Sequence, residues 1–197
     1  MALLQSTAMV DPRQLEPERI LSLRRAQYDQ MVEAGIFDDQ RVELLRGVLV
    51  EMTRQGVDHA DCVAVLTELL FRALPTAVQV RCQLPFAAGE YSEPQPDLAV
   101  YPRSPRTGSH PDNALVVIEV SDSSLRKDRG IKSEIYAEAG VPEYWIVDVV
   151  RGVVEVRTAP VDGHYTRMTT YRRGESVALA AFPDVSLALD DFLPPAE

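Results

Sequence analysis

The chain has 197 residues, 46% of them hydrophobic and 25% charged, and carries a formal net charge of −10. That length suits one domain with a sizeable core. No run approaches the roughly 20 apolar residues of a membrane span, and residues 1–10 are too short and too polar for a secretory signal. The expectation is a cytoplasmic protein with no membrane partner. The acidic balance excludes the overall basic field of a non-specific nucleic-acid binder, although a local basic strip suffices for a nucleic-acid substrate. Cys62 and Cys82 are too few and too far apart for a zinc site or a CxxC pair and read as free thiols.

In chain order, residues 1–17 hold Pro12 and Pro17 without periodicity and read as a flexible N-terminal arm; residues 18–197 follow as a single domain. Ile20, Leu23, Tyr28, Met31 and Val32 recur at helical spacing over residues 18–34, and Gly35 stops that helix. Val42, Leu44, Leu49 and Val50 flank Arg46-Gly47 as a small hairpin. Asp58 reads as the cap of a helix over 59–74, with a stripe of Cys62, Val63, Leu66, Leu69, Leu70 and Ala73. Residues 78–84 alternate as a half-buried strand.

Residues 97–101 and 115–121 read as short apolar strands, the second so continuously hydrophobic that both of its faces should be covered. A helix over 128–139, closed by Gly140 and Pro142, joins it to the next buried strand at 143–148. That is a βαβ-like crossover, which implies parallel neighbours. From Arg151 the chain alternates as a meander, with strands at 153–157, 165–171, 176–180 and 185–189. The order defines an α/β sandwich with a mixed sheet, and the apolar meander strands offer a surface for a homodimer.

Three residues stand out chemically. Glu119 lies inside the apolar strand 115–121, where a charge is costly unless paired or bound to a cation. Asp97 opens the neighbouring strand, so two carboxylates can meet at one sheet end. With backbone carbonyls and water they suit a hard cation, Mg²⁺ or Mn²⁺. The alternatives are an arginine paired to Glu119 and a turn capped by Asp97.

The third is Lys132. Of the 20 basic residues only Lys127 and Lys132 are lysines, and both follow Glu119 closely. On a helix, Asp128, Lys132 and Tyr136 share one face while Ile131, Ile135 and Ala139 pack inward beside it. Lys132 can then reach the carboxylates, or form an exposed salt bridge with Asp128. Gly130 within the helix costs about 1 kcal/mol relative to alanine, and close approach of another backbone would account for it.

These residues resemble a known family. Pro96-Asp97 followed by Ile118-Glu119-Val120 looks like the PD-(D/E)XK nuclease core, except that Ser121 stands where the simplest form has lysine. Glu119-Val120-Ser121, Ser123-Ser124, the stretch from Asp128 to Lys132, Tyr136-Ala137 and the run from Gly140 to Asp148 resemble the Uma family of restriction-endonuclease-like proteins. Glu43-Leu44-Leu45-Arg46-Gly47 and His59 match its early motif and helix start.

The resemblance spans about residues 21–189 and implies a restriction-endonuclease-like fold. It implies a metal-dependent endonuclease acting on nucleic acid, most readily DNA. Asp97 and Glu119 would be the metal ligands, and Lys132 would stand in for the lysine missing at Ser121, beside the attacking water. Glu43 is a candidate further carboxylate, unless paired with Arg41 or Arg46. His59 would orient water or phosphate, or be an ordinary polar residue. Gln83 would face the site, and Tyr136 would hold Lys132 or serve the core. Arg126, Lys127 and Arg129 are candidate phosphate contacts. The competing functions are a catalytically silent binding or regulatory module and a hydrolase of smaller phosphate esters.

Overall fold

The structure is a computed structural model that describes residues 21–105 and 108–195. The arm expected over 1–17 lies outside the described residues. The first helix, α1 (Arg25–Glu33), begins later than its apolar spacing suggests. It buries only Tyr28, whose hydroxyl donates to the Val42 carbonyl at 2.9 Å, and it leaves Val32 48% exposed. A hairpin follows, β1 (Val42–Leu45) with β2 (Val48–Glu51), turned by Arg46 and Gly47 at φ 48° and 80°. Two positive φ values in a two-residue loop match the twist of the flanking strands. A Cβ on Gly47 would also lie 2.5 Å from that of Ser22.

The second helix, α2 (Val57–Ala73), is capped by Gly56 rather than Asp58. Asp58 falls in the first turn, where its charge complements the helix dipole. Cys62, Val63, Leu66 and Leu70 form its buried stripe, and both cysteines are free thiols.

The central sheet has six strands in chain order: β3 (Val78–Cys82), β4 (Leu98–Pro102), β5 (Val116–Ser121), β6 (Glu143–Asp148), β7 (Val153–Val161) and β8 (His164–Arg172). β5 and β6 pair in parallel, and every other neighbouring pair is antiparallel. All residues of β5 and β6 are buried, which is why both read as near-continuous apolar runs. One face carries Ile118, Trp145, Val147 and Val154 against Leu66 and Leu70 of α2. The other packs Val117, Tyr144 and Ile146 against Phe86 and Tyr136. The expected meander divides: β7 and β8 extend the central sheet, whereas β9 (Ser176–Leu179) and β10 (Phe182–Ala188) pair separately before α5 (Leu189–Phe192).

The β5–β6 crossover is not one straight helix. It comprises α3 (Leu125–Lys127), a widened turn Asp128–Lys132 and α4 (Ser133–Glu138). Gly130 leaves helical angles at φ −98° and ψ −108°, and a kink of this kind characteristically falls at a glycine or a widened turn. No backbone crowds it, because a Cβ there would meet nothing within 4 Å. Ile135 is buried and Ala139 packs against the core as expected, but the inward face is wider than that stripe. Asp128, Lys132 and Tyr136 are buried, whereas Ile131 is half-exposed.

Candidate active site

Side chains alternate along a strand, so Val117, Glu119 and Ser121 of β5 turn to the crossover helix while Ile118 and Val120 turn to α2. The β4–β5 register pairs Leu98 with Ile118; one further step sets Asp97 opposite Glu119. The Val120 amide donates to Asp97 Oδ2 at 2.9 Å and fixes the carboxylate there. His59 Nε2 lies 3.1 Å from the same oxygen, and Gln83 Nε2 donates to Asp97 Oδ1 at 3.4 Å. Burial alone would lower the His59 pKa, but the bond to Asp97 and its charge raise it above the ordinary value.

Glu119 Oε1 accepts from Lys132 Nζ at 2.8 Å and from the Tyr136 hydroxyl at 2.6 Å. Glu119 therefore pairs with a lysine, not an arginine. Burial pushes its carboxyl up to about 8, and Asp128, Asp97 and Glu43 push the same way against Lys132. Burial would discharge Lys132, yet Glu119, Glu43 and Asp128 outweigh it and hold the amine above its ordinary range. Burial thus keeps Glu119 largely protonated at neutral pH, and a cation brought beside it would favour its ionised form.

Glu43 enters from the hairpin, fully buried. Its Oε1 lies 2.7 Å from Lys127 Nζ and its Oε2 lies 3.3 Å from Lys132 Nζ. Burial would raise its pKa, but the two lysines hold it below the usual carboxylate range. Arg46 is engaged elsewhere, with Glu134 at 2.9 Å and Glu138 at 2.6 Å. The residues enclose a narrow cleft of about 50 Å³ walled by His59, Asp97, Glu119, Lys127, Asp128 and Lys132.

Asp97, Glu119, Lys132, Glu43, His59, Gln83 and Tyr136 thus form one connected group. The phosphate-contact candidates divide. Lys127 stands at the cleft but is paired with Glu43. Arg126 is exposed on an adjoining groove of about 570 Å³ that also includes Val50 and Ile131. Arg129 is turned to β7, where its Nε donates to Glu155 at 2.9 Å; its placement away from the cleft corrects the expectation.

Three site residues escaped sequence reasoning. Asp128 Oδ2 accepts from Ser121 Oγ at 2.7 Å and Ser124 Oγ at 2.5 Å. Asp128 is 1% exposed, and it forms no ion pair with Lys132 among the described residues. Its Oδ1, like His59 Nδ1, is buried without a hydrogen-bond partner among those residues. The sequence signals for this network were Ser121, read as a gap in a motif, the helix face that Asp128 shares with Lys132, and the resemblance through Ser124 and Asp128, none of which assigned the bonds. Among the described residues no group of three or more His, Cys, Asp or Glu is placed to hold a metal ion.

The six-stranded mixed sheet, with Asp97 and Glu119 lining one cleft, has a restriction-endonuclease-like fold. A structure described as a "putative nuclease belonging to DUF820" from Anabaena variabilis ATCC 29413 matches with a TM-score of 0.64 and 15% identity, covering 79% of this chain and 90% of that one. The chain belongs to the Uma2 family, described as "Putative restriction endonuclease", whose family model matches residues 25–190. No curated protein gives a significant match. No helix among the described residues is long and apolar enough to cross a membrane.

Proposed function

We propose that the protein is a metal-dependent endonuclease that hydrolyses phosphodiester bonds in nucleic acid, with DNA as the leading substrate. The observation that carries this reading is the convergence of Asp97, Glu119 and Lys132 on one cleft. Asp97 and Glu119 would hold one Mg²⁺ or Mn²⁺. Among the described residues Glu119 Oε2 accepts no hydrogen bond and Asp97 Oδ1 has only the long Gln83 contact. Two carboxylates suffice for Mg²⁺, which keeps several waters and takes further oxygens from substrate phosphate, so the absence of a three-ligand cage is compatible with this assignment. The bound ion would lower the pKa of water and offset charge on the phosphoryl oxygens.

The chain's own residues do the positioning. Lys132, kept charged by its carboxylates, stabilises charge developing on a non-bridging oxygen. It is the wrong protonation state for a general base. Tyr136 holds Glu119, and the Val120 amide with His59 holds Asp97. In the reaction a water oxygen bonds to phosphorus and gives up a proton to solvent, one P–O ester bond breaks, and the leaving oxygen takes a proton from solvent.

Mg²⁺- or Mn²⁺-stimulated cleavage is expected for the wild type and is lost in Lys132→Ala and Glu119→Gln. Calorimetric Mn²⁺ binding, independent of turnover, should weaken at least tenfold in Asp97→Asn. A folded wild type that neither binds Mn²⁺ nor cuts single-stranded, double-stranded or branched substrates would overturn the reading. In that case a silent binding module is favoured by the charge of −10 and by the pairing of both lysines.

A further inference from the structure

Both lysines of the chain converge on one carboxylate that is not offered to a metal. Glu43 Oε1 is taken by Lys127, and Oε2 by Lys132 and, at 3.4 Å, by the Gln95 amide. Its two oxygens are thus occupied, unlike those of Glu119. A lysine ammonium sits on a flexible four-carbon stem and has three donors. One carboxylate partner leaves it free to swing, whereas Lys132 has two, Glu119 and Glu43. Lys132 also lines the cleft. Lys127 gives one donor to Glu43 and keeps two, at a side-chain exposure of 28%.

We propose that Glu43 is a positioning residue that yokes Lys127 and Lys132, so that the two ammonium groups present together to one phosphodiester, Lys132 from the floor of the cleft and Lys127 from its mouth. This deepens the nuclease reading and rests on it for the identity of the anion. Glu43 comes from the hairpin, whereas both lysines come from the kinked crossover. The kink at Gly130 separates the lysines by a widened turn and still leaves both within reach of one carboxylate. Arg126, outside the yoke, has no part in this grip.

The test uses the full chain labelled with ¹⁵N at the lysine side-chain nitrogen, which yields two ammonium signals because the chain has two lysines. Glu43→Gln should shift both signals while the backbone amide spectrum away from the hairpin stays in place. Single-turnover cleavage should drop about 100-fold, the scale of a misplaced catalytic group, with a smaller change in KM. Glu43→Asp should recover at least tenfold of that loss. Unmoved lysine signals in a folded Glu43→Gln overturn the yoke whether or not the protein cleaves anything. Moved signals with cleavage within twofold of an active wild type overturn the positioning role. If the wild type cleaves nothing, the nuclease reading fails and the lysine signals still decide the yoke. If Glu43→Gln does not fold, Lys127→Met decides: the yoke requires the Lys132 signal to move, and a fixed signal overturns it.

Discussion

Ser121 ends β5 where the simplest nuclease core carries its lysine, and its hydroxyl donates to Asp128 instead. Lys132 supplies the ammonium from across the cleft, 2.8 Å from Glu119. If the two positions serve the same charge, Ser121→Lys in a Lys132→Ala background should restore cleavage at least tenfold over Lys132→Ala alone. A folded double variant with no gain would show that the positions are not interchangeable. Lys132 was legible in the sequence because lysine is scarce and follows a buried glutamate. Asp128 was not, because its i,i+4 spacing from Lys132 equally describes a solvated surface pair. Only the packing of the helix against β5 decides that both are inside.

Elements that read as apolar runs were recovered best, since β5 and β6 are buried along their whole length and their parallel pairing follows from the helix between them. Ile118, fully buried on the α2 face, is central to that arrangement. Ile118→Ala should cost about 2–5 kcal/mol, read as a lower urea midpoint with an unchanged slope. A loss under half a kcal/mol, on the order of a surface substitution, would mean the core closes around the gap. Helix ends and irregularities were less legible. Asp58 is a better cap than glycine by propensity, yet Gly56 takes the position because the chain reaches α2 with its backbone extended there. The widened turn at Gly130 leaves no pattern, since one glycine in a helical stretch fits a kink or a straight helix equally well.

At the scale of the whole molecule, the carboxylates set the response to pH. Glu93 is 4% exposed beside the hairpin, and its backbone pairs with that of Leu44. Burial raises its pKa from 4.5 to about 7, and Asp29 adds to the shift against Arg25. The folded chain therefore keeps a proton between about pH 4.5 and 7 that the unfolded chain has released, so stability falls as pH rises through that window. The loss from this group is at most about 3 kcal/mol. Glu93→Gln should flatten this part of the stability–pH curve measured by urea denaturation. An equally steep decline in the variant would assign the loss to other groups.

The hairpin that delivers Glu43 is a two-stranded sheet of its own, outside the six strands that hold Asp97 and Glu119. Besides the lysine pairs, it is fastened by the Tyr28–Val42 bond, the Leu44–Glu93 bridge, half-exposed Arg46 ion pairs to α4 and the burial of all four β1 residues. The grip on both ammonium groups therefore joins the hairpin to the crossover, and neither makes it alone.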